Sequence, residues 1–242
     1  MNSIYLSVIV PAYNEEEKIK SAIQKISEFL NLHDFLSEII IVDDGSVDNT
    51  LIEGEKEAKK HRRRIKFFKN NPNRGKGHAL KKGMIRASGE VVLFTDVDLS
   101  TPLDSFNKML PHLKNGYDIV MGSRHLPESK FLVHQSIWRQ KIGGIFNKIV
   151  FNFFLKDIAD ANCGFKAYKN SVAKDLYSRL TIDRWGFDVE IIYMAQKYGY
   201  KIKEVPVEWS NDPRSKVKII RDMLGTIKEL AQIKVNDWRG RY

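Results

Sequence analysis

Short apolar runs recur along the first half of this chain, and each leads into a segment with helical apolar period. Ser7-Val8-Ile9-Val10 precedes Glu15 to Leu30, where Ile19, Ala22, Ile23, Ile26 and Leu30 share one helical face. Glu38 to Val42 precedes Asp48 to Lys60, and Ile65 to Phe68 precedes Gly77 to Ala87. Val91 to Thr95 leads to a helix expected to open at Thr101-Pro102, a cap followed by proline at the first helical position, and to close at Asn115-Gly116. Tyr117 to Met121 reads as a fifth strand. Strands that are apolar on both faces need cover on both faces. The pattern therefore predicts an α/β chain with a mainly parallel sheet, helices on both faces and a single domain. After about residue 125 the pattern is more mixed and is expected to complete the same domain.

The polar residues are placed with equal regularity. Pro11-Ala12-Tyr13-Asn14-Glu15 follows the first strand, Asp43-Asp44-Gly45-Ser46 the second, Asn73-Arg74-Gly75-Lys76-Gly77 the third, and Asp96-Val97-Asp98 the fourth. In open α/β sheets ligands bind at the C-terminal strand ends, so four clusters converge on one rim. Tyr13 can stack on a base. Glu15, Asp43 or Asp44 can accept hydrogen bonds from a base or ribose. Gly75 and Gly77 allow close backbone approach at a helix N-terminus, which favours anions. Asp96 and Asp98 offer hard oxygens suited to Mg²⁺ or Mn²⁺ shared with substrate phosphates. Singly, each signal has a plain alternative: a polar strand exit for the D-x-D, a turn for Asp43 to Ser46. No P-loop is present.

Charge points to an acidic partner. The 242 residues carry a net charge of +10, and the stretch from Pro213 to the end, with eight Lys/Arg against three Asp/Glu, supplies +5 of it. A phosphorylated substrate, an anionic membrane surface or nucleic acid would suit such a surface. No nucleic-acid-binding motif is found, and acids clustered at the strand rim oppose phosphate binding without a metal, so no nucleic-acid partner is expected. The basic run Lys59 to Arg64 reads as a solvated helix end. One cysteine, Cys163, excludes an internal disulfide and reads as a small buried hydrophobe. His78, His125 and His134 lack metal-ligand spacing, and Trp185 and Trp209 read as core or pocket walls. Ile4 to Val10 is too short for a secretory signal, and no apolar run approaches the roughly 20 residues of a membrane span. A soluble or monotopic protein is expected, cytoplasmic and peripheral on the cytoplasmic face of a membrane. Trp138 to Phe154 has helical apolar spacing interrupted by Arg139, Lys141 and Lys148, which fits either a core helix or an interfacial one.

Taken together, Val8 to Glu15, Ile41 to Ser46, Asn73 to Gly77 and Asp96-Val97-Asp98 resemble the family 2 glycosyltransferases of the GT-A (Rossmann-like) fold. Gly122-Ser123-Arg124, Asp160 to Lys166, Arg184 to Glu190, Glu204 to Trp209 and Ser215-Lys216-Val217 resemble its polyprenyl-phosphate branch, the last two its glucosyl rather than mannosyl members. The resemblance implies a catalytic domain over residues 1–218, with a nucleotide-sugar half to about 125 and an acceptor half over 126–218, and a basic helical segment over 219–242 able to meet a membrane surface. It implies nucleotide-sugar binding by Pro11, Tyr13, Glu15, Asp43, Asp44, Lys76, Asp96 and Val97, and Mg²⁺ or Mn²⁺ on Asp96 and Asp98. It implies an inverting hexosyl transfer, with UDP-glucose as favoured donor and dolichyl or another polyprenyl phosphate as acceptor. Mannosyl members commonly carry a metal-holding glutamine where this chain has Ser100, which turns the reading away from GDP-mannose. A GDP-mannose enzyme, a family 2 transferase acting on a saccharide hydroxyl, and a non-catalytic nucleotide-binding protein are the alternatives. The catalytic set is Asp98, Arg124, Arg139 and Lys216, with Asp160 as candidate base or sugar contact. Asp188 and Glu190 fall on a helix expected over Phe187 to Lys197, where one can face the site while the other caps or pairs.

Overall fold

The computed structural model describes residues 3–61, 64–133, 153–211 and 219–242, without the side chains of 219–224. The first half alternates as read: β1 (Leu6–Ala12), α1 (Glu16–Asn31), β2 (Ser37–Asp43), α2 (Thr50–Ala58), β3 (Arg64–Lys69), α3 (Lys76–Arg86), β4 (Val91–Thr95), α4 (Ser105–Lys114) and β5 (Ile119–Ser123). The second half adds β6 (Lys130–Val133), β7 (Phe165–Lys169), α5 (Asn170–Arg179), α6 (Phe187–Lys197), β8 (Ile202–Pro206), β9 (Glu208–Ser210) and α7 (Ile219–Trp238).

The central sheet runs β3-β2-β1-β4-β7-β5-β8, and β6 pairs with β9 beside it. β1 pairs in parallel with both β2 and β4. The chain thus builds outward from β1 to β3 and returns to the other side of β1 with β4. That reversal is the topological switch point where open α/β sheets bind ligands, and it sets Tyr13 beside Asp96. The sheet is mainly parallel, with one reversed strand: β7 runs antiparallel to β4 and β5.

Alternation along each strand feeds two cores. Val8, Val10, Ile39, Ile41 and Leu93 pack with Ile19, Ile23, Ile26 and Leu30 of α1 and Phe106 and Met109 of α4. Ile9, Ile40, Val42 and Phe94 pack on the opposite side with Leu80 and Met84 of α3, Leu176 of α5, Ile192 of α6, and Leu230 and Ile233 of α7. Each fully buried side chain of this size stabilises the fold by about 1.5–3 kcal/mol.

One helix start differs from expectation. α4 begins at Ser105, not at Thr101-Pro102. Residues 102 to 106 form tight turns instead, Ser105 N–H donating to Pro102 O at 3.0 Å and Phe106 N–H to Leu103 O at 2.9 Å. The Thr101 side chain is buried toward Cys163, with Oγ1 4.0 Å from Sγ, and so does not cap a helix.

Candidate active site

The loops after β1 and β2 are tied into one wall. Asn14, in the left-handed region at φ 55°, accepts the Val47 amide on its side chain and donates its own amide to Ser46 Oγ. Ser46 in turn binds Asp43 Oδ1 through both its amide and its hydroxyl. Asp43 Oδ2 is buried and has no protein partner among the described residues. Asp44 differs: Oδ1 accepts from Asn70 and the Arg74 amide, and Oδ2 from Asn73 and the Gly75 amide, at 2.7 to 3.2 Å. Two adjacent carboxylates on an extended backbone point to opposite sides. Here one organises the 70–75 loop and the other keeps an acceptor free. Glu15 pairs with Lys18 at 3.0 Å. Tyr13 is 44% exposed at the rim, while Pro11 is buried within β1.

Gly75 (φ 120°) carries the chain into α3 directly under the backbone of Asp183, where any side chain would collide. The next residue, Lys76, reaches across the strand ends. Its Nζ lies 2.6 Å from Asp96 Oδ1 and stands over the rings of Phe94 and Trp185, at 5.2 and 5.7 Å from their centroids. Burial works against its charge, but Asp96 and Asp188 outweigh it and raise its pKa, so Lys76 is a fixed cation. Asp188, at the start of α6, forms a buried ion pair with Lys166 at 2.5 Å. Burial pushes the Asp188 carboxyl up, and Lys166 and Lys76 hold it back. Carboxylates and ammoniums thus alternate inward from the rim: Asp96, Lys76, Asp188, Lys166.

After β4 the backbone turns sharply, Leu99 N–H donating to Asp96 O at 3.1 Å with Leu99 itself left-handed at φ 50°. Such a conformation in a leucine costs of order 1–3 kcal/mol and persists only where surroundings enforce it. Val97 is buried beneath, so Asp96 and Asp98 both emerge on the rim. Ser100 N–H holds Asp98 Oδ1 at 3.0 Å. Partial burial and the Asp96 charge push the Asp98 carboxyl above its ordinary range. Two crowded hard carboxylates of this kind fit Mg²⁺ or Mn²⁺. Among the described residues no group of three or more Asp, Glu, His or Cys side chains could hold a metal, so a diphosphate and water would complete its shell.

Beyond β5, Arg124 forks onto Asp160, Nε to Oδ2 at 2.7 Å and Nη2 to Oδ1 at 2.8 Å, and its amide adds a third bond. Asp160 is fully buried. Burial alone would raise its pKa, but the Arg124 charge and hydrogen bonds prevail and lower it. The guanidinium lies 5.5 Å from the Trp209 ring centroid and stays partly exposed. Cys163 is buried, its thiol pushed up to about 11, which suits a packing role. Glu190 turns inward and accepts the amides of Thr181 and Ile182, the latter at 2.7 Å. On α6, then, Asp188 faces the site and Glu190 ties down a loop. Arg139 and Lys216 lie outside the described residues, as does most of Trp138 to Phe154. Sequence reasoning passed over Gly164, Asp183 and Glu229. Gly164 carried a signal only as a member of the Asp160 to Lys166 resemblance, with no role attached, and for the two acids there was none.

A doubly wound sheet with paired carboxylates at its switch point, a glycine-flanked lysine beside them and an arginine just past β5 is the architecture of the GT-A nucleotide-sugar transferases. Solved structures share the fold. Mannosyl-3-phosphoglycerate synthase from Rubrobacter xylanophilus superposes with a TM-score of 0.71 at 18% identity, over 99% of this chain and 76% of that one. Glucosyl-3-phosphoglycerate synthase from Mycobacterium tuberculosis, in complex with Mn²⁺, UDP-glucose and phosphoglyceric acid, superposes with a TM-score of 0.69 at 22% identity, over 95% and 79%. Residues 7–177 match the model of glycosyl transferase family 2, and the chain belongs to that family. Among its relatives, the dolichyl-phosphate beta-glucosyltransferase of Dictyostelium discoideum is 37% identical over 97% of this chain and 75% of its own length. The Homo sapiens protein of the same name is 31% identical over 98% and 77%.

Proposed function

We propose that this protein transfers glucose from UDP-glucose, with inversion, to dolichyl phosphate or a similar polyprenyl phosphate. The observation that carries the reading is the Asp98, Asp96, Lys76 cluster at the switch point, on a chain similar over nearly its whole length to dolichyl-phosphate beta-glucosyltransferases. Asp43 Oδ2 would accept from the uracil or ribose, and Tyr13 would stack on the base. Asp96 and Asp98 would hold Mg²⁺ or Mn²⁺, which supplies Lewis-acid neutralisation of the departing diphosphate. Lys76 adds a second positive charge beside it and is already oriented by Phe94 and Trp185.

A phosphate monoester has its second pKa near about 6. Its oxygen is therefore a nucleophile at neutral pH and needs placing more than deprotonating. Arg124 does the placing: Asp160 uses its Nε and Nη2 edge, and the remaining edge is left for the acceptor phosphate. Asp160 is then the anchor of that arginine and not a base. Arg139 and Lys216 join the acceptor side by charge.

The membrane surface enters through α7. Ile227, Lys228, Val235 and Trp238 are exposed along its outer side and Arg239 follows at its end, with Trp238 87% exposed. The two acids of this stretch turn away, Glu229 toward Gly186 and Asp237 onto Lys197 and Tyr193. Such a face suits the anionic cytoplasmic leaflet. No helix among the described residues is long and apolar enough to cross a membrane. A donor screen tests the assignment: with polyprenyl phosphate, UDP-glucose should give labelled glycolipid, and preferential use of GDP-mannose or UDP-N-acetylglucosamine would overturn it.

A further inference from the structure

The inner side of α7 packs on α6 and the core and also reaches the loop of residues 180–186, which carries the wall over Lys76. Glu229 Oε2 accepts the Gly186 amide at 2.8 Å, and Gly186 is the residue that opens α6. A side chain at Gly186 would crowd Glu229, with a Cβ 3.1 Å from Oε2. A carboxylate at that point favours the N-terminal end of the helix dipole. One helical turn and more farther on, buried Asn236 donates to Thr181 Oγ1 at 2.8 Å and to the Tyr242 hydroxyl at 3.1 Å. Both hydroxyls then donate to Glu190 Oε1. Both ends of the 180–186 loop are thus held from α7 and its following residues.

The middle of the loop reaches the donor side. Asp183 O accepts the His78 amide at 3.0 Å, and its carboxylate pairs with His78 and Arg74, each at 3.1 Å. Ile182 O would stand 2.5 Å from a Cβ on Gly77, so the loop and the first turn of α3 are in close backbone contact. Trp185 stacks over the Lys76 ammonium, which holds Asp96. Neither Glu229 nor Asn236 lies among the residues that would touch donor or acceptor.

We propose that Glu229 and Asn236 are positioning residues for the diphosphate site, acting through Thr181, Asp183, Trp185 and Gly186 on Lys76. The inference rests on the donor reading above. It gives α7 two working sides: the outer one faces the membrane and the inner one sets donor affinity.

The test is the dissociation constant of UDP with Mn²⁺, by calorimetry on the full chain, with hydrogen exchange as second readout. Glu229→Ala should weaken UDP binding roughly tenfold, the loss expected for one charged hydrogen bond. It should also speed exchange at Gly186 and His78 while amides of β1 and β2 stay protected. Glu229→Gln, which keeps an acceptor oxygen, should recover most of the affinity. Asn236→Ala should act in the same direction, and Ala231→Ser, exposed on the same helix, should change nothing. Unaltered UDP affinity in both Glu229→Ala and Asn236→Ala would overturn the inference. So would an equal loss in Ala231→Ser. If Glu229→Ala unfolds, Asn236→Ala alone decides by the same criterion. No UDP binding by the unaltered protein would instead sink the donor reading, and this inference with it.

Discussion

Gly164 lies directly against the Asp96 carboxylate: a Cβ there would overlap Asp96 Oδ2 and stand 2.7 Å from Cγ. The glycine is what lets the Asp96 carboxylate sit between β4 and the loop before β7. Gly164→Ala must push the Asp96 side chain aside, since the backbone on both sides is held by strands. A displacement of about 1 Å at a reacting centre costs on the order of 100-fold. Glucosyl transfer by Gly164→Ala should fall by that order, with circular dichroism and melting close to the unaltered protein. An unchanged rate would remove Asp96 from the reaction.

The Arg124–Asp160 pair governs stability as well as placement. Removing one member of a buried pair leaves the other charge uncompensated, at about 3–5 kcal/mol. Asp160→Ala should lose that much in urea titrations at pH 7. The pH dependence has a fixed sign. Asp160 has a lower pKa folded than unfolded, so its contribution is complete above the unfolded value near about 4 and is lost as pH falls through the folded value. The gap between the unaltered protein and Asp160→Asn should therefore narrow on acidification; a gap that widens would refute the pairing.

Lys76 lowers the pKa of Asp98, while burial and Asp96 raise it. A protonated Asp98 is a poor metal ligand, so the acidic limb of Mn²⁺-dependent UDP-glucose binding, measured without acceptor, should follow this group. Lys76→Met removes the cation, and that limb should move to higher pH. The donor KM should rise as well, roughly tenfold, for the loss of a charged contact to the diphosphate. Profiles that superimpose would show that Lys76 acts on neither.

Membrane contact is tested by flotation. The unaltered protein should float with liposomes containing anionic lipid at low salt and be released by high salt, because exposed charges are screened within about 8–10 Å. Trp238→Ala combined with Lys228→Gln should weaken flotation without altering UDP binding. Recovery that is the same with neutral lipid would contradict the charge-based reading.

Much of the architecture was readable in the residues, because β1, β2, β4 and β5 are apolar on both faces and α4 and α6 end near glycines, Gly116 and Gly199. Phe187 to Lys197 came out with the same bounds, Gly186 and Gly199 flanking it. The switch point followed from four polar clusters at four strand ends. The start of α4 did not, because Thr101-Pro102 looks like a cap while the threonine is buried against Cys163. Nor could spacing show which of Asp43 and Asp44 stays open, since that depends on where Asn70, Asn73 and Gly75 return in space. Asp160 likewise looked like a base until Arg124 proved to occupy both its oxygens. The clamp of Glu229 on Gly186 joins residues 43 positions apart and leaves no local signature.

The most direct measurement is glucosyl transfer from labelled UDP-glucose to dolichyl phosphate against free Mn²⁺, for the unaltered protein and for Asp98→Ala. Label should enter the organic phase only with the metal, vanish on chelation and return on re-addition. Asp98→Ala should fall to background at every Mn²⁺ concentration at which the unaltered protein is active. Full transfer under chelation, or a normal rate in Asp98→Ala, would contradict the assignment of the metal and its two carboxylates to the donor diphosphate.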